Sequence, residues 1–280
     1  MDYFVQTLKA IKKPILLIFT VFTAIGILIW FKSQDTMPFW KPLCIMLIAA
    51  LGFSVLLTAL IAKALKKEAP LTEIAAEKGY CEEWLQKHSE IYPTPTRAEK
   101  LRRVDVLGYL GRYDEASELL DSISTFDMDD DRKFEYQNAR LDLLLSTDHY
   151  QEAIAELDAC RKFMDIYANM HPLRGAVYGC NAAVIRAVAG DYEDSEHFIA
   201  AAQKAISAEK SMSPIIVMIA KTMQLYALGF DKQAKEQEAA AKQEIETSPI
   251  LAKSFQKERM MQLLTKAKEV APENRQEFPQ

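Results

Sequence analysis

Four stretches decide how this chain reads: Leu110-Gly-Arg-Tyr-Asp-Glu-Ala116, Thr147-Asp-His-Tyr-Gln-Glu-Ala153, Ala189-Gly-Asp-Tyr-Glu-Asp-Ser195 and Leu228-Gly-Phe-Asp-Lys-Gln-Ala234. Their closing small residues fall at 116, 153, 195 and 234, at intervals of 37, 42 and 39. Recurrence at near-constant intervals of this length signals stacked supersecondary units. An apolar helical pattern precedes and follows each stretch, so each reads as helix, tight turn, helix. The Gly or Asp relieves the turn. The aromatic ring is expected to pack between the two helices, and the small Ala or Ser to let their backbones approach.

Working outward, Thr96-Arg-Ala-Glu99 has the form of a capping box and should open the first of these helices, where Leu101, Val104, Leu107 and Leu110 keep helical spacing. Before it, Pro70 is expected to start a helix running to about Tyr92, since proline is tolerated in a first turn. Pro93-Thr-Pro-Thr96 then breaks that helix.

These residues resemble the tetratricopeptide repeat family, whose turn runs roughly Gly-x-Tyr-x-x-Ala. The likeness covers about residues 97–245. Gly111, Tyr113 and Ala116 match well, and so do Gly190 and Tyr192, with Ser195 in the small position. The second copy has Asp148 for Gly but keeps Tyr150 and Ala153; the fourth keeps Gly229 and Ala234 with its aromatic, Phe230, one place early. The period is longer than the family's usual one, and the Trp and Pro of its strict consensus are mostly absent. The resemblance implies a solenoid of helical hairpins that binds protein or peptide partners on the face built from the first helix of each pair. Turn-by-turn matching puts Asn138, Asp142 and Asn181 on that face. Asn can both donate to and accept from a peptide backbone, and Asp142 would favour a basic partner. Alternatively, the two Asn bond neighbouring helices within the solenoid. The Lys of the family's carboxylate clamp is Leu101 here, so a carboxylate tail is not the expected ligand. Stacked repeats need end caps. Residues 70–92 and the segment from Ile250 to about Val270 are the expected caps, with 271–280 a flexible tail.

The N-terminal quarter differs in kind. Residues 1–67 carry eight Lys, no Arg and two acidic residues, and the remainder carries 26 basic against 37 acidic residues. Eighteen uncharged residues lie between Lys13 and Lys32, and twenty-one between Lys41 and Lys63. About 20 apolar residues cross a hydrocarbon core. Two spans, about 14–31 and 42–62, joined through the short segment Lys32–Pro42, therefore make a membrane hairpin over residues 1–67. A signal peptide is disfavoured by the length of the first run and by the lack of an A-x-A-like site after it. Trp30, Phe31, Phe39 and Trp40 cluster at one end, as rings do at a membrane–water interface. Lys9, Lys12, Lys13, Lys63, Lys66 and Lys67 outnumber Lys32 and Lys41, which places both termini and the repeat domain of 68–270 in the cytoplasm. Ala50 and Ser54 could let helices approach.

Motifs for chemistry are sparse. Cys44, Cys81, Cys160 and Cys180 form no C-x-x-C pair and read as small packing residues. The four His lack metal-motif spacing. Asp127, Asp129 and Asp131 open like an EF-hand, but Arg132 and Asn138 stand where that loop needs Gly and Glu. The acidic run reads as a turn whose last Asp caps the next helix. There is no P-loop, G-x-S-x-G or H-E-x-x-H. The acidic balance disfavours nucleic acid.

The expectation is therefore an all-α protein, a two-helix transmembrane hairpin followed by a TPR-like solenoid. It should be a non-enzymatic scaffold or adaptor at the membrane, of bacterial appearance, meeting lipid through its hairpin and needing neither metal nor cofactor. The alternatives are an assembly or quality-control factor for a membrane complex and an enzyme with an unrecognised helical active site.

Overall fold

The computed structural model describes residues 2–33, 38, 40–208, 214–249 and 251–272. The regular structure of those residues is helical throughout, twelve α-helices and a closing 3-10 turn. They fall into two compact units, Met1–Glu73 and Ile74–Gln280. The sequence suggests a division after Lys67; the units part after Glu73, inside a helix.

The first unit holds α1 (Asp2–Ser33) and most of α2 (Trp40–Lys78). The two meet where Gly26 lies against Leu43 and Met46, with room for only a tight Cβ at 3.4 Å. Ala50 and Ser54 are buried. Most other apolar side chains of α2 are not: Ile48 is 71% exposed and Val55 64%. Among the described residues, α2 is the one helix long and apolar enough to cross a membrane; Leu16–Lys32 is a shorter apolar stretch. Most of the connecting loop, Phe39 included, and the side chains of Lys9, Lys12 and Lys13 lie outside the described residues.

Pro70 does not start a helix. α2 runs through it to Lys78, and the expected helix of 70–92 is divided by Gly79 before α3 (Glu82–Ile91). Proline removes one helix hydrogen bond, that to the Lys66 carbonyl, but good helix formers on both sides carry the helix past it. The break falls at Gly79 because its φ is +76° and a Cβ there would stand 2.5 Å from the Phe255 ring.

Four helix pairs follow: α4 (Arg97–Tyr109) with α5 (Tyr113–Asp121), α6 (Asp130–Ser146) with α7 (Tyr150–Met170), α8 (Pro172–Val188) with α9 (Tyr192–Ser207), and α10 (Ile215–Ala227) with α11 (Asp231–Thr247). Thr96 opens α4 with the expected capping box, its hydroxyl accepting from the Glu99 N–H while the Glu99 carboxylate accepts from its own N–H. The four turns share one hydrogen-bond pattern. The N–H of Arg112, His149, Asp191 and Phe230 donates five residues back, to Leu107, Leu144, Arg186 and Leu225, each at 2.9 Å. The residue before each donates three back and has positive φ: Gly111 +74°, Asp148 +60°, Gly190 +80°, Gly229 +75°. This is the Schellman termination, which demands a left-handed residue; glycine supplies it three times and Asp once. Ala116, Ala153, Ser195 and Ala234, in the next helix, are all 0% exposed.

The pairs stack. α4 packs on α6, α6 on α8 and α8 on α10, while α5, α7 and α9 each touch the first helix of the next pair. α8 is the hub, with twelve of its seventeen residues buried. It approaches α7 so closely that a Cβ on Gly175 would lie 2.6 Å from the Ala168 Cβ. Polar groups lock α7, α8 and α9 together. Arg161 grips Asp194 through two bonds of 2.6 and 2.7 Å, and the buried Arg186 meets the same carboxylate at 3.1 Å.

The C-terminal segment packs on the last pair, as expected of a cap at the far end, and its side chains reach further. α12 (Ser254–Lys266) packs on α10 and α11, then also reaches back to the first pair. Phe255 meets Gly79, Arg259 lies 4.7 Å over the Tyr109 ring and Lys266 5.6 Å over Tyr113. A 3-10 turn, Ala267–Val270, follows and packs on α10. Ala271, assigned to the tail on sequence, is fully buried; residues 273–280 lie outside the described residues.

Candidate partner-binding face

The shared turn fixes equivalent positions on the first helices. Asp105, Asp142, Val184 and Met223 occupy one such row, and Leu101, Asn138, Cys180 and Ile219 the row one turn earlier. The face therefore changes character along the stack, acidic on α4 and α6 and apolar on α8 and α10. Asp142, Asn181, Val184, Ile219 and Met223 line a cavity of about 190 Å³, together with Tyr113 and with Leu263 and Lys266 of the C-terminal segment.

Of the three residues placed here on sequence, Asp142 and Asn181 line the cavity. Asn138, one turn from Asp142, accepts a long hydrogen bond of 3.4 Å from the Asn181 side-chain amide, tying α6 to α8. Asp105 was not singled out from sequence. It sits 37 residues before Asp142, the interval of the first two repeats, and that was the available signal. Burial pushes the Asp105 carboxyl up to about 7, with the charges of Asp142 and Glu135 adding to the effect. Burial also raises Asp142, and the nearby Arg259 guanidinium opposes that rise. Both Asp side chains keep exposed surface, so water screens part of what these shifts are worth.

The turn aromatics divide. Tyr150 is buried, its hydroxyl donating to Asp148 at 2.5 Å, and Tyr113 is half-buried. Tyr192 and Phe230 instead stand 52% and 42% exposed and pack edge to face on each other at 6.0 Å. Phe230 differs because, one place early, it is the residue that precedes the first turn of α11. In the acidic run, Asp129 rather than Asp131 caps α6, accepting from the Arg132 N–H at 2.9 Å. Asp131, within the first turn, accepts from the Tyr167 hydroxyl at 2.6 Å.

A second, larger cavity of about 490 Å³ lies between α7, α8 and α9, floored by Gly175, Gly179 and Ala202. Two of its polar groups are engaged with one another or with the stack: Arg161 with Asp194 and Asp165, and Asp165 with the Tyr178 hydroxyl at 2.8 Å. All four cysteines are free thiols, and burial pushes Cys160 to about 11 and Cys180 to about 12, which keeps both protonated and unreactive. Among the described residues no group of three His, Cys, Asp or Glu side chains is placed to hold a metal ion.

No protein-family model, curated protein or solved structure matches this chain.

Proposed function

We propose that the chain is a membrane-anchored scaffold or adaptor of tetratricopeptide-like build, which holds a protein or peptide partner at the membrane. In this reading α1 and α2 both cross the bilayer as a hairpin, and the C-terminal unit works in the cytoplasm. The observation that carries the proposal is the set of four turns with one hydrogen-bond pattern, joined to first helices that pack side by side in order. A face built this way offers a long partner repeated contacts, which a closed helical bundle lacks. The uncovered apolar surface of α2 supports the anchor: side chains so exposed in a water-soluble unit would drive aggregation, whereas lipid covers them at no cost.

The test is recovery of partners from membranes with the full-length chain and with a triple variant, Asn138→Ala, Asp142→Ala and Asn181→Ala. Truncating a true hot spot costs about 2 kcal/mol or more of binding. Partner recovery is expected to fall by more than tenfold while the circular dichroism spectrum and melting transition persist. Undiminished recovery by a folded variant would overturn the face assignment. Because Asn138 and Asn181 bond each other, a second variant with Asp142→Lys alone separates lost binding from a weakened α6–α8 contact.

A further inference from the structure

The first-helix face already carries an occupant. Phe255, Arg259, Leu263 and Lys266 follow one another at helical spacings of 4, 4 and 3, so they form one stripe of α12. That stripe is the part of α12 that reaches across the repeat pairs. Phe255 meets Gly79 ahead of the first pair, and Arg259 donates to the Gly108 carbonyl of α4 at 3.5 Å and stacks on Tyr109. Leu263 lines the cavity beside Val184 and Met223, and Lys266 lies over Tyr113. The guanidinium thus lies toward the acidic end of the face, where it acts on Asp142, and the leucine toward the apolar end.

α12 is also held lightly. Among the described side chains of α12 only Leu264 is buried, whereas the short segment after it buries Ala267, Val270 and Ala271. Met260 and Met261 pack against the buried cluster of Ile215, Ile219, Ala241, Ile245 and Leu264, as Met218 and Met223 of α10 do. Thioether side chains repack readily and are favoured where one helix must be exchanged for another.

Building on the scaffold reading above, we propose that α12 is a resident, displaceable ligand of the first-helix face. The partner it holds the place for is an amphipathic helix with a basic residue toward its N-terminus and an aliphatic residue one turn further on. The remainder of the C-terminal segment, anchored through Ala267 to Ala271, stays in place when α12 leaves. A partner of this chemistry competes with α12, so its apparent affinity is lowered by the fraction of molecules in which the face is covered.

The probe is a fluorescent peptide of residues 253–272, titrated into the full-length chain in detergent. A variant with Arg259→Glu and Leu263→Ser, which removes the two contacts without touching the buried Leu264, should bind it at least tenfold tighter than wild type. Adding Asp142→Lys to that variant should reverse the gain. Equal, measurable binding by wild type and the folded variant would overturn displacement while leaving the face as a binding surface. No binding to either folded protein would overturn both readings. Self-association of wild type that the peptide dissolves would make the occupant a second copy and overturn the partner assignment. Should the variant not fold, hydrogen exchange on the wild-type chain decides. Saturating peptide is expected to strip protection from amides 256–266 and to leave α8 unchanged; unaltered protection of α12 would overturn the proposal.

Discussion

α2 and α8 are both rich in apolar residues, yet they meet opposite surroundings. α8 hides twelve of its seventeen residues under α7, α9, α6 and α10, and even its Arg186 is only 8% exposed. α2 leaves Ile48, Leu51, Val55 and Leu60 more than half exposed. Apolar composition thus identifies a helix that must be covered and leaves open what covers it. In α8 the small residues Gly175, Gly179, Ala182, Ala183 and Ala187 show the answer: they let other helices come close. α2 buries its small Ala50 and Ser54 and turns bulky Ile48, Leu51, Val55 and Leu60 outward.

The widest separation should come from a charge placed in each helix. Ala183→Arg would bury an unpaired guanidinium at a site with 0% exposure, which costs several kcal/mol and should abolish the cooperative melting of the C-terminal unit by circular dichroism. Leu51→Arg, at a position 58% exposed, should leave that melting unchanged. It should instead weaken membrane retention, by about 2.5–3.5 kcal/mol for a charge at the centre of a span. Equal effects of the two changes on melting would erase the distinction.

Close packing is the next contrast. Ala153→Leu, at a position with 0% exposure between helices, should lower stability by about 1–3 kcal/mol, seen as a lower melting temperature. Gly175→Ala should also destabilise, although alanine is the better helix former by about 1 kcal/mol, because its Cβ would meet Ala168 at 2.6 Å. The matching change in the first unit, Gly52→Ala, meets nothing within 4 Å and should be silent.

The smallest effect is electrostatic. Asp105 binds its proton up to about pH 7 in the fold and only to about pH 4 when unfolded. Between those values the folded state holds more protons, so stability falls as pH rises through the window. Asp105→Asn should therefore raise the melting temperature slightly at pH 8 and not at pH 4. Exposure of the side chain keeps the gain small.

The turns were legible in the sequence because their chemistry is local. A left-handed residue and a buried small residue five places later leave a fixed signature, and Asp148 fits it because Asp tolerates that conformation. Two features depended on contacts that a sequence window does not contain. Gly79, rather than Pro70, marks the helix boundary, and a Cβ there would meet Phe255, 176 positions away, a contact that lies outside any sequence window. The reach of Arg259 and Lys266 from α12 to Tyr109 and Tyr113 likewise joins residues about 150 positions apart. The face was half legible: Asp142 and Asn181 came from turn matching, while Asp105 and the change from acidic to apolar along the row emerged once the helices were aligned side by side.

The central claim, a lipid-anchored unit carrying a cytoplasmic binding unit, is tested most directly by cysteine accessibility in intact cells. Pro38→Cys, in the short connection between α1 and α2, and Ser124→Cys, in the exposed connection after α5, would each be made in a chain with Cys81→Ser. An impermeant maleimide should label position 38 in intact cells and position 124 only after the membrane is opened, with the protein resisting alkaline extraction from the membrane pellet. Labelling of position 124 in intact cells with none at 38, or release of the chain by alkaline washing, would contradict the account.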